Sequence, residues 1–149
     1  METKYEKLVD QLEEILEKNR DAEKGYRKAA DNADSASLKN YFENKSRERE
    51  QFNNALKREM VANYDDIDDD SSFTGSIHRA WMDVKALFSA DNDESMLEEA
   101  IRGDKAAVEE YDDVLEDTSL PNPIATLIRE QKTKIRTDLN KIKSMEDLA

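Results

Sequence analysis

Four carboxylates, Glu23, Glu50, Asp104 and Glu130, have the residue type and the spacing to do chemistry. Each stands on or beside a run of apolar residues that recurs every three or four positions, which is one face of a helix. Carboxylates brought from four helices to a common centre are the donor set of a metal pair. His78 is the only histidine. It borders the apolar face formed by Phe73, Ile77, Ala80 and Trp81, either as a boundary residue donating one hydrogen bond or as a ligand or proton carrier reaching the carboxylates. One histidine without a nucleophile makes no triad. The chain has no cysteine and three scattered glycines, which excludes thiol chemistry, cysteine metal sites and a glycine-rich phosphate loop.

The same stripes carry other polar residues. Asn19 and Glu23 interrupt the first, Lys45 and Arg49 the second, Asp104 the third and Gln131 the last. A polar group on a core stripe must be paired or it costs stability. A turn centred near Asp34 puts Glu23 level with Lys45, Ser46 and Arg49. In the second half Asp104 faces the region of Arg136, one to two turns from Gln131. Tyr26 and Tyr111 supply hydroxyls at matching heights. The layer therefore either binds a metal pair through Glu23, Glu50, Asp104 and Glu130, or closes on itself through Lys45, Arg49 and Arg136. Cations on the core stripe supply the positive charge that a metal would otherwise bring, which favours the second arrangement. Glu23 is expected within hydrogen-bonding reach of Lys45 or Arg49. No cofactor is expected, with a divalent ion held by carboxylates alone as the alternative.

Long helices must position these residues. Three glycines and two prolines in 149 residues leave few breakers, whereas sheets need frequent turns. The periodicity predicts helices over 4–32 and 36–63, capped by Thr3 (with Glu6) and by Asp34 or Ser35. Gly25, mid-helix, suggests a close approach by another helix. A short helix is predicted over 74–89, then long helices over 94–117 and from Asn122, as cap, to about Met145, with Pro123 in the first position. Between 64 and 72 lies an acidic linker. Asp66, Asp68 and Asp70 imitate the start of a calcium loop, but Ser71 and Ile77 stand where Gly and Glu are needed. The stretch Asn19 to Tyr26 aligns with Asp104 to Tyr111, a weak internal repeat that pairs two hairpins, 4–63 and 93–145, within one domain spanning 1–149.

The formal net charge is −13, which opposes binding to nucleic acid or to an anionic membrane. No apolar run approaches the ~18 residues of a membrane span, and the first residues carry no signal segment. A cytoplasmic protein is expected, as a homodimer or with a protein partner.

These features resemble a known family. The order is long hairpin, linker with short helix, long hairpin. Within it stand Asn19-Arg20-Asp21-Ala22-Glu23-Lys24-Gly25-Tyr26, His78-Arg79-Ala80-Trp81-Met82-Asp83-Val84-Lys85, and Arg102-Gly103-Asp104 followed by Tyr111. Together they are similar to uncharacterised bacterial ferritin-like four-helix-bundle proteins that carry a domain of unknown function. The resemblance implies an all-α ferritin-like bundle with a short crossover helix and almost no biochemistry; the function expected of the chain is non-enzymatic, an interaction or stress-associated role, with a divergent di-metal carboxylate protein as the alternative. Di-iron members of the wider superfamily use two Glu-x-x-His motifs. Here Gly75 precedes His78, Asn53 follows Glu50 and Thr133 follows Glu130, which are poor donors for iron.

Overall fold

The computed structural model describes residues 4–64 and 92–148. Among these it contains four α-helices and no strand: α1 (Lys4–Asn32), α2 (Ala36–Asn63), α3 (Asp93–Leu115) and α4 (Asn122–Leu148). The predicted short helix, the acidic linker, the calcium-loop imitation, His78 and Thr3 lie outside the described residues.

The caps follow local chemistry. Ser35 has extended backbone (φ −74°, ψ 129°) and its side chain accepts from the Leu38 N–H, satisfying one of the orphan donors of a helix start. Asn92 does the same for α3, accepting from Ser95 N at 2.8 Å. The first carbonyl of α4 is that of Pro121, which accepts from Ala125 N. The cap thus lies one residue before Asn122, and Pro123 still falls where no backbone donor is needed.

The buried stripes have a heptad-like rhythm. On α1 they run Leu8, Leu12, Ile15, Asn19, Ala22, Tyr26 and Ala29, with Ala33 just past its end; on α4, Ile124, Ile128, Gln131, Ile135, Asp138 and Ile142. A repeat of 3.5 suits helices crossing at a shallow angle. Helix α1 packs on α2 and α3 on α4, and the hairpins meet through α1 against α3 and α2 against α4.

Side-chain bonds fix the directions. Asn19 meets Tyr111 while Tyr26 meets Asp104, so α1 and α3 are antiparallel. Tyr41 meets Asp138 while Gln131 meets the Phe52 carbonyl, so α2 and α4 are antiparallel too. It follows that α2 and α3 run the same way. The chain leaves α2 at one end of the bundle and enters α3 at the other.

At the α3 entry, Asp93 receives the backbone N–H groups of Asp34 and Ser35 at 2.9 and 3.0 Å. This carboxylate ties the α1–α2 turn to the start of the second hairpin. The apolar core falls into two clusters. One gathers Leu12, Ile15, Leu56, Met60, Val114 and Ile128, and the other Ala29, Leu38, Phe42, Met96, Leu97 and Ile142. Between them lies a polar layer.

Candidate functional site

Asp104 is the centre of that layer and is fully buried. Its Oδ1 accepts from Tyr26 Oη at 2.8 Å and from Arg49 Nη2 at 2.7 Å. Its Oδ2 lies 3.0 Å from Lys45 Nζ, an ion-pair contact off the line of a hydrogen bond. From Arg49 the network continues: Nη1 donates to Asn19 Oδ1 at 2.6 Å. Asn19 Nδ2 donates to Tyr111 Oη at 3.0 Å. Tyr111 Oη donates to Gln131 Oε1 at 2.7 Å, and Gln131 Nε2 to the Phe52 carbonyl at 3.1 Å. Helix α1 contributes Asn19 and Tyr26, α2 Lys45 and Arg49, α3 Asp104 and Tyr111, and α4 Gln131.

The repeat seen in sequence has a geometric counterpart. The short polar residue of α1, Asn19, meets the tyrosine of α3. The short polar residue of α3, Asp104, meets the tyrosine of α1. Each helix gives its polar residue to the other's tyrosine seven positions along, a local twofold relationship between the hairpins.

Lys45 reaches outward from Asp104. It donates to Asp138 Oδ2 at 3.2 Å and lies 3.4 Å from Glu48 Oε2. Its ammonium also sits 5.4 Å above the Tyr26 ring, a cation–π distance. Tyr26 in turn stacks on Phe42 at 5.9 Å. Asp138 is buried, and Lys134 approaches its other oxygen from outside at 3.2 Å.

Burial and partners set the charges. Burial first, then the Asp104 charge, hold the Tyr26 phenol well above its ordinary range. Burial pushes Tyr111 up to about 12. Burial alone would lower Arg49, but Asp104 and the two phenols outweigh it and fix the cation. Burial pushes Glu48 up to about 7, helped by a proton shared with Asp138. Burial opposes the Asp138 charge, yet the bonds from Glu48 and Lys45 hold its carboxyl below the usual range. The layer sets Lys45 and Arg49, both from α2, against Asp104 and Asp138 from the second hairpin.

The candidates taken from the sequence separate into two groups. Asn19, Tyr26, Lys45, Arg49, Asp104, Tyr111 and Gln131 are buried and joined in the layer. Glu23 is not in it. Its carboxylate pairs with Arg27 at 2.8 Å, one turn along the half-exposed edge of α1, and only its backbone carbonyl faces α2, accepting from Ser46 Oγ. The expected bond to Lys45 or Arg49 is absent because Ala22, one residue earlier, takes the core position. Glu50 and Glu130 are exposed, so the structure does not bring them to Asp104. Arg136, expected opposite Asp104, is also exposed, and the residue at that height is Asp138, two positions on. The signal for Asp138 was present: it completes the four–three–four–three–four spacing from Ile124 to Ile142. Among the described residues no group of three or more metal-binding side chains is placed to hold an ion.

A family model described as Domain of unknown function (DUF2383) matches residues 7–117. No curated protein and no solved structure matches the chain.

Proposed function

The chain belongs to that family of domains of unknown function, and we propose that it is a ferritin-like bundle with a non-enzymatic role, acting through its surface as an interaction module. The matched stretch includes six residues of the layer, Asn19, Tyr26, Lys45, Arg49, Asp104 and Tyr111. Support for the ferritin-like reading is the topology: two antiparallel hairpins whose connection must join opposite ends of the bundle, as in folds with one long crossover.

One observation carries the non-enzymatic reading. Asp104 stands at the centre of the bundle, where a carboxylate metal site would sit, and both its oxygens face cations of the same chain. The donor set does not fit a metal pair. A dication beside Lys45 and Arg49 would meet two positive charges in a low-dielectric core. Glu50 and Glu130 point to solvent instead. The acidic surface supports a cytoplasmic protein that binds neither nucleic acid nor membrane, and no described helix is long and apolar enough to cross a membrane.

The other reading, a divergent di-metal carboxylate protein, is separable by experiment. Purified protein is assayed for metal and melted with and without iron, manganese or zinc. The expected outcome is no stoichiometric metal and an unchanged midpoint. Stoichiometric metal that survives mild chelation overturns the proposal.

A further inference from the structure

A groove of about 410 Å³ runs between α2 and α4 on the outside of the bundle. Its deep side includes Tyr41, Lys45 and Asp138, all buried, and its rim carries Arg47, Lys134 and Lys141, all exposed. A solute therefore reaches the rim directly, while the buried groups behind it act through their charge.

The sequence gathers cations on this side. Helix α2 holds six lysines and arginines against four aspartates and glutamates, and α4 also holds six against four. Helix α1 holds seven against eight, and α3 two against nine. In a chain of net charge −13, the groove lies between the two helices of positive balance.

Packing brings the three rim cations to one height. Tyr41 and Lys45 both meet Asp138 across the groove, so that turn of α2 is level with Asp138. Lys134 reaches one turn along α4 to Asp138 Oδ1 at 3.2 Å. Arg47 turns back along α2 to Asn44 Oδ1 at 2.6 Å. Both heads bend toward the level of Asp138, and Lys141 stands three residues beyond it on the same side of α4.

Their charge is not matched. Glu48 and Asp138 share a proton, and both are already taken by Lys45 and Lys134. Arg47 has only the Asn44 amide oxygen, and Lys141 has no hydrogen bond or ion pair among the described residues. Cations crowded into a concave site raise the local concentration of anions. Arg47 offers a planar fork that fits an oxyanion through two N–H groups, and Lys141 offers three unused donors. The same charges repel a cation. An extended polyanion would meet the acidic remainder of the surface, whereas a small ion lies within about 8–10 Å of the rim, the range of unscreened charge.

We infer that the α2–α4 groove is an anion site that takes a small divalent oxyanion of the phosphate class between Arg47, Lys134 and Lys141. This site does not depend on the non-enzymatic reading of the central layer.

The test uses the full chain labelled with ¹⁵N and follows the Arg47 Nε–H resonance. Inorganic phosphate and glycerol 3-phosphate are titrated separately at about pH 7, where a phosphomonoester carries roughly −1.5 to −2, with ionic strength held by sodium chloride. The expected result is a saturable shift. Tighter binding of the monoester identifies a phosphorylated small molecule as the occupant, and equal binding identifies the free ion; either upholds the site. Lys141→Gln should weaken binding about twofold to fivefold, the range of one exposed ion pair. Arg47→Gln, followed by calorimetry, should do the same, and the double variant should weaken binding roughly tenfold. Lys143→Gln removes the same charge from an exposed position about 200° round α4 from Lys141, and it should bind as wild type. A linear shift, the same shift with sodium chloride alone, equal weakening in Lys143→Gln, or undiminished binding in the double variant overturns the inference.

Discussion

Arg49 and Asp104, 55 positions apart in the chain, meet at 2.7 Å in the centre of the bundle, with neither exposed to solvent. The pair is the hinge of the layer, because Arg49 also holds Asn19, and Asp104 also holds Tyr26 and faces Lys45. Removing one partner strands the others. Asp104→Ala should therefore cost about 3–5 kcal/mol, the penalty of uncompensated buried charge, read as a lower urea midpoint at unchanged slope. A combined Arg49→Met, Lys45→Met, Asp104→Leu, Asp138→Leu variant, which also removes the buried partner of Lys45, should lose much less, since apolar replacement of a whole buried charge group is often neutral or stabilising.

Tyr111 accepts from Asn19 and donates to Gln131 through one hydroxyl. Tyr111→Phe preserves the ring and orphans two buried amides. A loss of about 1–3 kcal/mol is expected without change in helical content by circular dichroism. Tyr111→Phe combined with Gln131→Leu should recover part of it, as the double-mutant cycle would show.

Stability should fall as pH rises from about 5 to 8. Folded Glu48 holds its proton to about 7, against 4.5 ordinarily. A raised carboxyl stabilises the fold fully below its unfolded pKa and loses that contribution as pH climbs through the folded value. Asp138, held below its usual 3.8, acts the other way: its contribution is complete above that value and disappears in stronger acid. The Glu48 effect is about 2 kcal/mol, reduced from the full linkage because the pair shares one proton. Glu48→Gln should flatten the slope of melting temperature against pH over this window. A small slope of the same sign remains from Glu13, Glu17 and Asp21, all raised by burial. An unchanged slope in Glu48→Gln rules out this origin.

Gly103 occupies a helix interior where a Cβ meets nothing within 4 Å. Gly103→Ala should stabilise the protein by about 0.5–1 kcal/mol through helix propensity and a less flexible unfolded chain. Thermal melting checks it, and any destabilisation points to a contact on that face of α3.

The helices were legible because apolar residues recur at three and four over long stretches with few breakers. The ends of α1 and α2 follow from Ser35 and the turn around it. The layer was legible as interruptions of the stripe, since Asn19, Lys45, Arg49, Asp104 and Gln131 each break an apolar rhythm. Its wiring was not. Whether Ala22 or Glu23 takes the inward position depends on a rotation of α1 of about 100°, which only the packing of α2 and α3 decides. Asp138 was ambiguous for the same reason: the four–three spacing marks it, but Leu139 is an equally good member of the stripe. The meeting of Asn19 with Tyr111 needed the antiparallel approach of α1 to α3, which hairpin geometry within either half does not contain.

The distribution of charge in the layer has a consequence for assembly. Lys45 and Arg49 both belong to the first hairpin, and Asp104 and Asp138 both belong to the second. Two first hairpins docked face to face would bury four cations, and two second hairpins four carboxylates, each a strongly repulsive arrangement. Although the halves are near copies in outline, like rejects like, and each accepts only the other. The layer thus favours pairing of unlike halves, although Glu48 beside Lys45 and Lys134 beside Asp138 soften the contrast within each half.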